Sequence, residues 1–125
     1  MANLIIESTE DTPLISLDVE NNKFEISGRS LPEDAVSFYN PVLEWLDSYY
    51  QGSPASETIF DIKLEYFNTA SSKLVLDLFM KLEEYTSQGN ATKVNWYYYE
   101  DDEDMQEAGE EFAELVEVPF EFFEY

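Results

Sequence analysis

The sequence contains no cysteine and no histidine among its 125 residues. Without cysteine the chain has no disulfide, no thiolate nucleophile and no sulfur ligand for zinc. Without histidine it lacks the commonest general base and the commonest metal ligand. Catalytic triads and dyads that depend on either residue are therefore excluded, and we expect a protein that is not an enzyme and uses no cofactor or metal.

Basic residues are also scarce, with six lysines and arginines against 28 aspartates and glutamates, which gives a formal charge of −22. A surface this negative repels DNA, RNA and anionic membranes. The chain has no long apolar run and no basic N-terminal segment followed by a hydrophobic one. We therefore expect a cytoplasmic protein that neither binds nucleic acid nor inserts into a membrane, and whose partner is a protein, for example one with a basic patch.

Apolar residues, in contrast, are plentiful. Hydrophobic residues make up 44% of the chain and aromatic residues 16%, which is far from the composition of disordered proteins. The length suits one domain with a substantial core. Because no internal repeat or linker divides the sequence, we expect a single domain over residues 1–125.

Alternating apolar and polar residues predict the strands. Leu4–Ile6, Leu14–Val19 and Lys23–Ser27 are strand-like, and a hairpin turn is expected at residues 20–22. Residues 58–67 and 92–99 alternate cleanly, and the aromatic segment 118–125 is a candidate final edge strand.

Apolar residues at helical spacing predict three helices between and after these strands. Ser30 and Glu33 have the spacing of a capping box, with Ser30 as the N-cap of the first helix. The second helix follows residue 67 and ends near Gly89, and the third covers about residues 102–116. This order indicates an α/β fold whose helices lie mainly on one face of the sheet, because the second faces of the strands are polar.

Residues 64–73, with the sequence LEYFNTASSK, are the most informative segment. A strand is expected to end at Phe67, and a hydroxyl-rich stretch then begins a helix whose first N–H groups favour a phosphate. Thr69 is therefore a candidate phosphorylation switch, and Lys73 and Arg29 are the cations available to pair with the phosphate. From spacing alone the simpler interpretation is stronger: Asn68 caps the helix, and the hydroxyls are ordinary first-turn residues.

Other candidate sites are weaker. The acidic run at residues 100–104 lacks the pattern of a calcium-binding loop and fits a charged helix start. The four glycines are scattered, so no phosphate-binding loop is present.

Three blocks of the chain, in order, resemble the SiaC family of bacterial regulatory phosphoproteins: GRSLPEDAVSFYNPVLEWLDSY, LEYFNTASSKLVLDLFMKLEEY and VNWYYYEDDEDMQEAGEEFAELVEVPFEF. The resemblance extends from Thr12 to about Phe122. It implies a mixed β-sheet with helices packed on it, similar to the STAS domains of anti-sigma-factor antagonists. It also implies a role in a partner-switching pathway.

In such a pathway a dedicated kinase phosphorylates a threonine in the segment that corresponds to residues 68–73, and a metal-dependent PP2C-type phosphatase removes the phosphate. The unmodified protein binds and activates a diguanylate cyclase, which raises cyclic-di-GMP and favours surface attachment and biofilm formation. The resemblance therefore implies that Thr69 is the phosphoacceptor. Its matching neighbours at the partner-binding surface are Asn68, Ser71, Ser72 and Lys73, and Ala70 is a mild departure from the small or hydroxyl residue expected there.

Two rival hypotheses remain at this stage. One is an acidic sequestering or adaptor module that binds a basic protein independently of phosphorylation. The other, a metal-dependent hydrolase built on Asp101–Asp104, is weakened by the lack of histidine. Output proteins other than a cyclase, and pairing of the chain into a homodimer, are left open.

Overall fold

The computed structural model describes residues 2–125, which fold into six strands and three helices. They follow one another as β1 (Leu4–Ile6), β2 (Leu14–Asp18), β3 (Lys23–Ser30), α1 (Ala35–Gln51), β4 (Glu57–Phe67), α2 (Thr69–Ser87), β5 (Ala91–Tyr98), α3 (Glu103–Leu115) and β6 (Phe120–Glu124). None of the helices in this part of the chain has the length and apolarity needed to cross a bilayer.

All the strands belong to one sheet, and their order across the sheet is the same as their order in the chain. β1, β2 and β3 pair antiparallel, whereas β3, β4, β5 and β6 pair parallel. Each parallel pair is joined by one helix, and right-handed connections that advance in one direction place their helices on the same face. The mixed sheet, the three helices and the final strand β6 confirm the predicted fold.

The core lies between the helices and one face of the sheet. Alternate strand residues point into it, because successive side chains of a strand face opposite ways. Its largest fully buried side chains are aromatic: Trp96, Tyr39, Tyr49, Phe24, Phe60 and Phe79. The other side of the sheet is uncovered, and its strand residues are mostly half-buried or exposed.

Helix α3 packs very closely on this core. A Cβ atom at Gly109 would lie 2.5 Å from the indole ring of Trp96, so only glycine permits this approach without a shift. The Trp96 Nε1–H group donates a 3.0 Å hydrogen bond to the carbonyl oxygen of Met105. Together these contacts fix the position of α3 over β5.

Helix α1 begins later than the capping box predicts. Asp34 is its N-cap, and the Asp34 carboxylate accepts a 3.1 Å hydrogen bond from the backbone N–H of Ser37. Ser30 is instead the last residue of β3, where it pairs with Phe67 and is fully buried. The prediction that Ser30 caps the first helix is therefore wrong, because a tertiary hydrogen-bond network occupies its hydroxyl.

Candidate functional site

Helix α2 begins directly after β4, at the carboxyl ends of the parallel strands. Asn68 is its N-cap, and the side-chain oxygen of Asn68 accepts a 2.8 Å hydrogen bond from the backbone N–H of Ser71. The N–H of Asn68 itself donates to the carbonyl oxygen of Ser30 at 3.1 Å. The cap predicted for α2 is thus confirmed, and its first turn is attached to the end of β3.

Three buried hydroxyl groups strengthen this attachment. Ser71 donates to the carbonyl oxygen of Ser30 at 3.0 Å, and the Ser30 hydroxyl donates to the Ser71 hydroxyl at 2.8 Å. Because each hydroxyl has one proton, the 2.6 Å contact between Tyr39 and Ser30 is a hydrogen bond donated by Tyr39. A tyrosine hydroxyl is protonated at neutral pH, and burial raises the pKa of Tyr39 further, so this donor persists into alkaline solution. The network joins β3, α1 and α2.

The side chains of the predicted phosphorylation segment divide between surface and interior. Thr69, the first residue of α2, and Ala70 are exposed, and their N–H groups find no acceptor within residues 2–125. Ser72 is half-buried, and the exposed Lys73 forms no ion pair in the same part of the chain. Ser71, in contrast, is fully buried, so it supports the helix start from inside.

A groove of about 400 Å³ opens beside Thr69, between α2 and α3. Its lining is mainly apolar, and Leu115 on its α3 side is 64% exposed. The residues around it are Phe67, Thr69, Ser72, Lys73, Leu76, Ala108, Glu111, Phe112 and Leu115. We name this surface the α2–α3 groove. An exposed apolar surface with a polar rim is typical of protein interaction sites.

A second cavity, of about 290 Å³, continues from the α2–α3 groove and shares Phe67 and Ala108 with it. It is lined in addition by Glu65, Tyr66, Asp102, Asp104 and Met105. Arg29 lies nearby, since it pairs with Tyr66 in the sheet and its guanidinium is 5.6 Å from the centre of the Tyr66 ring. Arg29 thus lies near the carboxyl end of β3, at the same end of the sheet as Thr69, and its guanidinium packs on the ring of Tyr66.

The acidic residues of this region serve a helix start. The Asp102 carboxylate accepts a 3.0 Å hydrogen bond from the backbone N–H of Met105, which makes it the N-cap of α3. Glu103 and Asp104 follow in the first turn, where the helix dipole favours negative charge. Within residues 2–125 no three acidic side chains are arranged to hold a metal ion.

Sequence reasoning missed three contributions to the site. Ser30 and Tyr39 lie far from Thr69 in the chain, and only the pairing of β3 with β4 brings Ser30 to the start of α2. The α3 side of the groove depends on how closely α3 packs on Trp96. The sequence offered one indication of the groove: Leu115, at the end of α3, is apolar but falls outside the buried stripe of that helix.

Comparison with known proteins places the chain among bacterial relatives of the same length. The family model described as SiaC family regulatory phosphoprotein matches residues 6–125. An uncharacterised protein of Pseudomonas aeruginosa strain UCBPP-PA14 is 30% identical over 120 residues, which are 96% of this chain and 94% of that protein.

Solved structures agree with this assignment. The structure of apo-SiaC from Pseudomonas aeruginosa has a TM-score of 0.89 and 29% sequence identity, over 98% of this chain and 99% of that one. The structure of the Pseudomonas aeruginosa diguanylate cyclase SiaD in complex with its activator SiaC matches with a TM-score of 0.91 at 29% identity, with the same coverage. Sequence, fold and length agree, and the chain belongs to the SiaC family of regulatory phosphoproteins.

Proposed function

We propose that this chain is a non-enzymatic regulatory protein that binds and activates a diguanylate cyclase only while Thr69 is unmodified. In this proposal a dedicated kinase phosphorylates Thr69 and thereby prevents binding, and a PP2C-type phosphatase restores it. Family membership, and the likeness to a SiaC solved with the cyclase that it activates, support this class of partner. The observation that carries the proposal is the exposed position of Thr69 at the start of α2, on the rim of an apolar groove.

A phosphate on Thr69 would be well accommodated in the free protein. It would add a charge of about −1.5 to −2 beside the unpaired N–H groups of Thr69 and Ala70. Lys73 lies four residues further along α2, on the same side of the helix, and has no ion-pair partner among residues 2–125. The buried contact between Ser71 and Ser30 holds the helix start in place, so the modification would change the surface and leave the fold intact.

The same phosphate would be costly in a complex. A partner that covers the α2–α3 groove excludes water from Phe67, Leu76 and Phe112, and would also desolvate a dianion at Thr69. An uncompensated buried charge costs several kcal/mol, and about 1.4 kcal/mol is a factor of ten in affinity. We therefore expect phosphorylation to weaken binding at least about 100-fold.

The test is to measure cyclase binding by calorimetry and cyclic-di-GMP synthesis with purified variants and the cyclase of the same host. Thr69→Ala should bind and activate like the wild type and should resist the kinase. Thr69→Asp should weaken binding about tenfold or more, since it brings one charge to the rim of the groove. Gln88→Asp is the matched control, because it adds the same charge at the exposed opposite end of α2 and should leave activation unchanged.

Full activation of the cyclase by Thr69→Asp would overturn the proposal, as would an equal loss in Gln88→Asp. Intact-mass measurement and peptide mapping of protein from its host should place a phosphate on Thr69.

The formal charge of −22 supports a second candidate function, an acidic module that sequesters a basic protein. Charge-dominated binding of that kind collapses as salt rises, because mobile ions screen the attraction. The Thr69→Asp substitution should leave the affinity of such charge-dominated binding unchanged, whereas it should weaken binding of the cyclase in the proposed switch.

A further inference from the structure

The uncovered face of the sheet differs in charge from the rest of the molecule. By strand alternation it holds four of the six cations, namely Lys23, Arg29, Lys63 and Lys93. It holds only six of the 28 acidic side chains, namely Asp18, Glu25, Glu57, Asp61, Glu65 and Glu121. The face therefore carries two net negative charges, although the whole chain carries 22.

Several of these charges are paired within the face. The Lys93 ammonium lies 3.1 Å from a carboxylate oxygen of Glu121, and the Lys63 ammonium lies 3.8 Å from one of Glu25. Pairing of this kind reduces the field that an approaching molecule meets. The open face is thus the part of this acidic protein where a like-charged surface is repelled least.

Aromatic side chains occupy one side of the same face. Tyr97 stacks on Phe123 with ring centres 5.1 Å apart, and Tyr99 stacks on Tyr125 at 4.5 Å. The Lys63 ammonium lies 4.9 Å from the centre of the Tyr97 ring. Tyr125 is still 44% exposed and Tyr99 is 40% exposed. We name these four aromatic residues the aromatic strip; it offers rigid apolar area of the kind that anchors interfaces.

We propose that two copies of this chain associate through their open sheet faces, with the aromatic strip in the contact. Most of the charge then lies on the two helix layers, which face away from each other in such a dimer. A second copy fits this face better than a basic partner does, because the face has little net charge to attract one. Thr69 and the α2–α3 groove belong to the helix layer, so the dimer leaves them free.

The size of the face indicates a weak dimer. Six strands spaced about 4.8 Å apart and about 17–20 Å long present roughly 400–500 Å² per copy. Two copies would bury roughly 800–1,000 Å², which is below the roughly 1,200–2,000 Å² of stable interfaces. Dimerisation should therefore depend on concentration. It should also strengthen with salt, which screens the residual repulsion between the copies.

Sedimentation velocity of the full chain, from micromolar to millimolar protein and at low and high salt, tests the proposal. The wild type should shift from monomer to dimer with concentration, and more readily at high salt. Tyr125→Glu should raise the dissociation constant about tenfold or more, because it puts a charge into the contact. Leu115→Glu is the matched control: it adds the same charge to an exposed apolar site on α3, and should leave the dissociation constant unchanged.

The absence of cysteine allows a second readout with single nitroxide labels. Labels on Ser27→Cys, in the open face, should give a shorter intermolecular distance than labels on Ser87→Cys, at the exposed end of α2. A monomer at every concentration and salt would overturn the proposal, and so would dissociation by Leu115→Glu alone or a shorter distance from Ser87→Cys. Thr69→Asp should leave the dimer intact, so failure of the phosphorylation switch would be recognised separately.

Discussion

The hydroxyl of Ser71 donates a 3.0 Å hydrogen bond to the carbonyl oxygen of Ser30, which joins the first turn of α2 to the last residue of β3. The same carbonyl oxygen accepts the backbone N–H of Asn68. These two bonds set the direction in which α2 leaves the sheet. They therefore also set where Thr69 lies on the surface.

Ser71→Ala should destabilise the protein by about 1–2 kcal/mol, because it removes buried hydrogen bonds and leaves the Ser30 hydroxyl without its acceptor. Urea unfolding measures the change. Ser72→Ala is the control, since Ser72 is only half-buried and alanine favours a helix, so its free energy of unfolding should stay the same or rise slightly. Equal effects of the two substitutions would contradict a structural role for the buried network.

Thr69→Asp should leave the fold intact and stabilise it by about 0.3–1 kcal/mol, because a negative charge at the first helical position interacts favourably with the helix dipole. The first turn of α2 has no acidic residue of its own. Gln88→Asp should lower the free energy of unfolding by a similar amount, since it places the charge at the negative end. Thermal unfolding of both variants by circular dichroism checks the signs, and a destabilised Thr69→Asp protein would show that Thr69 has an unrecognised structural contact.

Lys73 should lower the second pKa of a phosphate on Thr69, because a nearby cation favours the dianion. Phosphorus NMR titration of the phosphorylated protein measures this pKa directly. Lys73→Gln should raise the phosphate pKa. Lys81→Gln should leave it unchanged, because Lys81 is held by Asp47, with its ammonium 2.8 Å from a carboxylate oxygen. If Lys73→Gln leaves the phosphate pKa unchanged, the phosphate lies away from the side of α2 that faces the groove.

Stability should fall at alkaline pH through buried tyrosines. Burial raises the pKa of Tyr50 to about 12, and its hydroxyl lies 2.7 Å from that of Thr92. In the unfolded chain a tyrosine titrates near pH 10, so between about pH 10 and 12 only the unfolded state loses this proton. The contribution of Tyr50 to the free energy of unfolding is complete below about pH 10. Between about pH 10 and 12 it declines by about 1.4 kcal/mol per pH unit. Burial also raises the pKa of Tyr39, which acts in the same direction.

Tyr50→Phe should therefore make the alkaline fall in stability less steep. At neutral pH the same variant should lose about 1 kcal/mol, because Thr92 loses its hydrogen-bond partner. Urea unfolding as a function of pH gives both numbers. An unchanged slope would mean that Tyr50 does not stay protonated in the folded protein above pH 10.

Periodicity predicted the order of strands and helices well, because burial of one strand face and one helix face leaves a repeating pattern in the residues themselves. The strand at 58–67 and the helix that ends near Gly89 show this clearly. Gly89 has a φ of +101°, a conformation that favours glycine. The end of the helix was therefore predictable from the residue type at this one position.

Ser30 shows where such reasoning fails. Its spacing from Glu33 matches a capping box, but β3 continues to Ser30, and its hydroxyl contacts Tyr39 and Ser71. Ser71 is 41 residues away, and no local pattern encodes such a contact. The α2–α3 groove could not be predicted from the sequence for the same reason, since it depends on the packing of Gly109 on Trp96.

Because the strands lie in the sheet in the order in which they occur in the chain, every strand has its neighbours next to it in sequence. During synthesis each new strand can therefore pair with the strand made just before it, and no strand depends on a partner that is synthesised much later. Of the six strands, β6 is the last to be synthesised, and it adds to the sheet at the edge formed by β5. Truncations from that end should therefore yield shorter sheets that assemble from the N-terminal side, rather than chains that have lost a central strand.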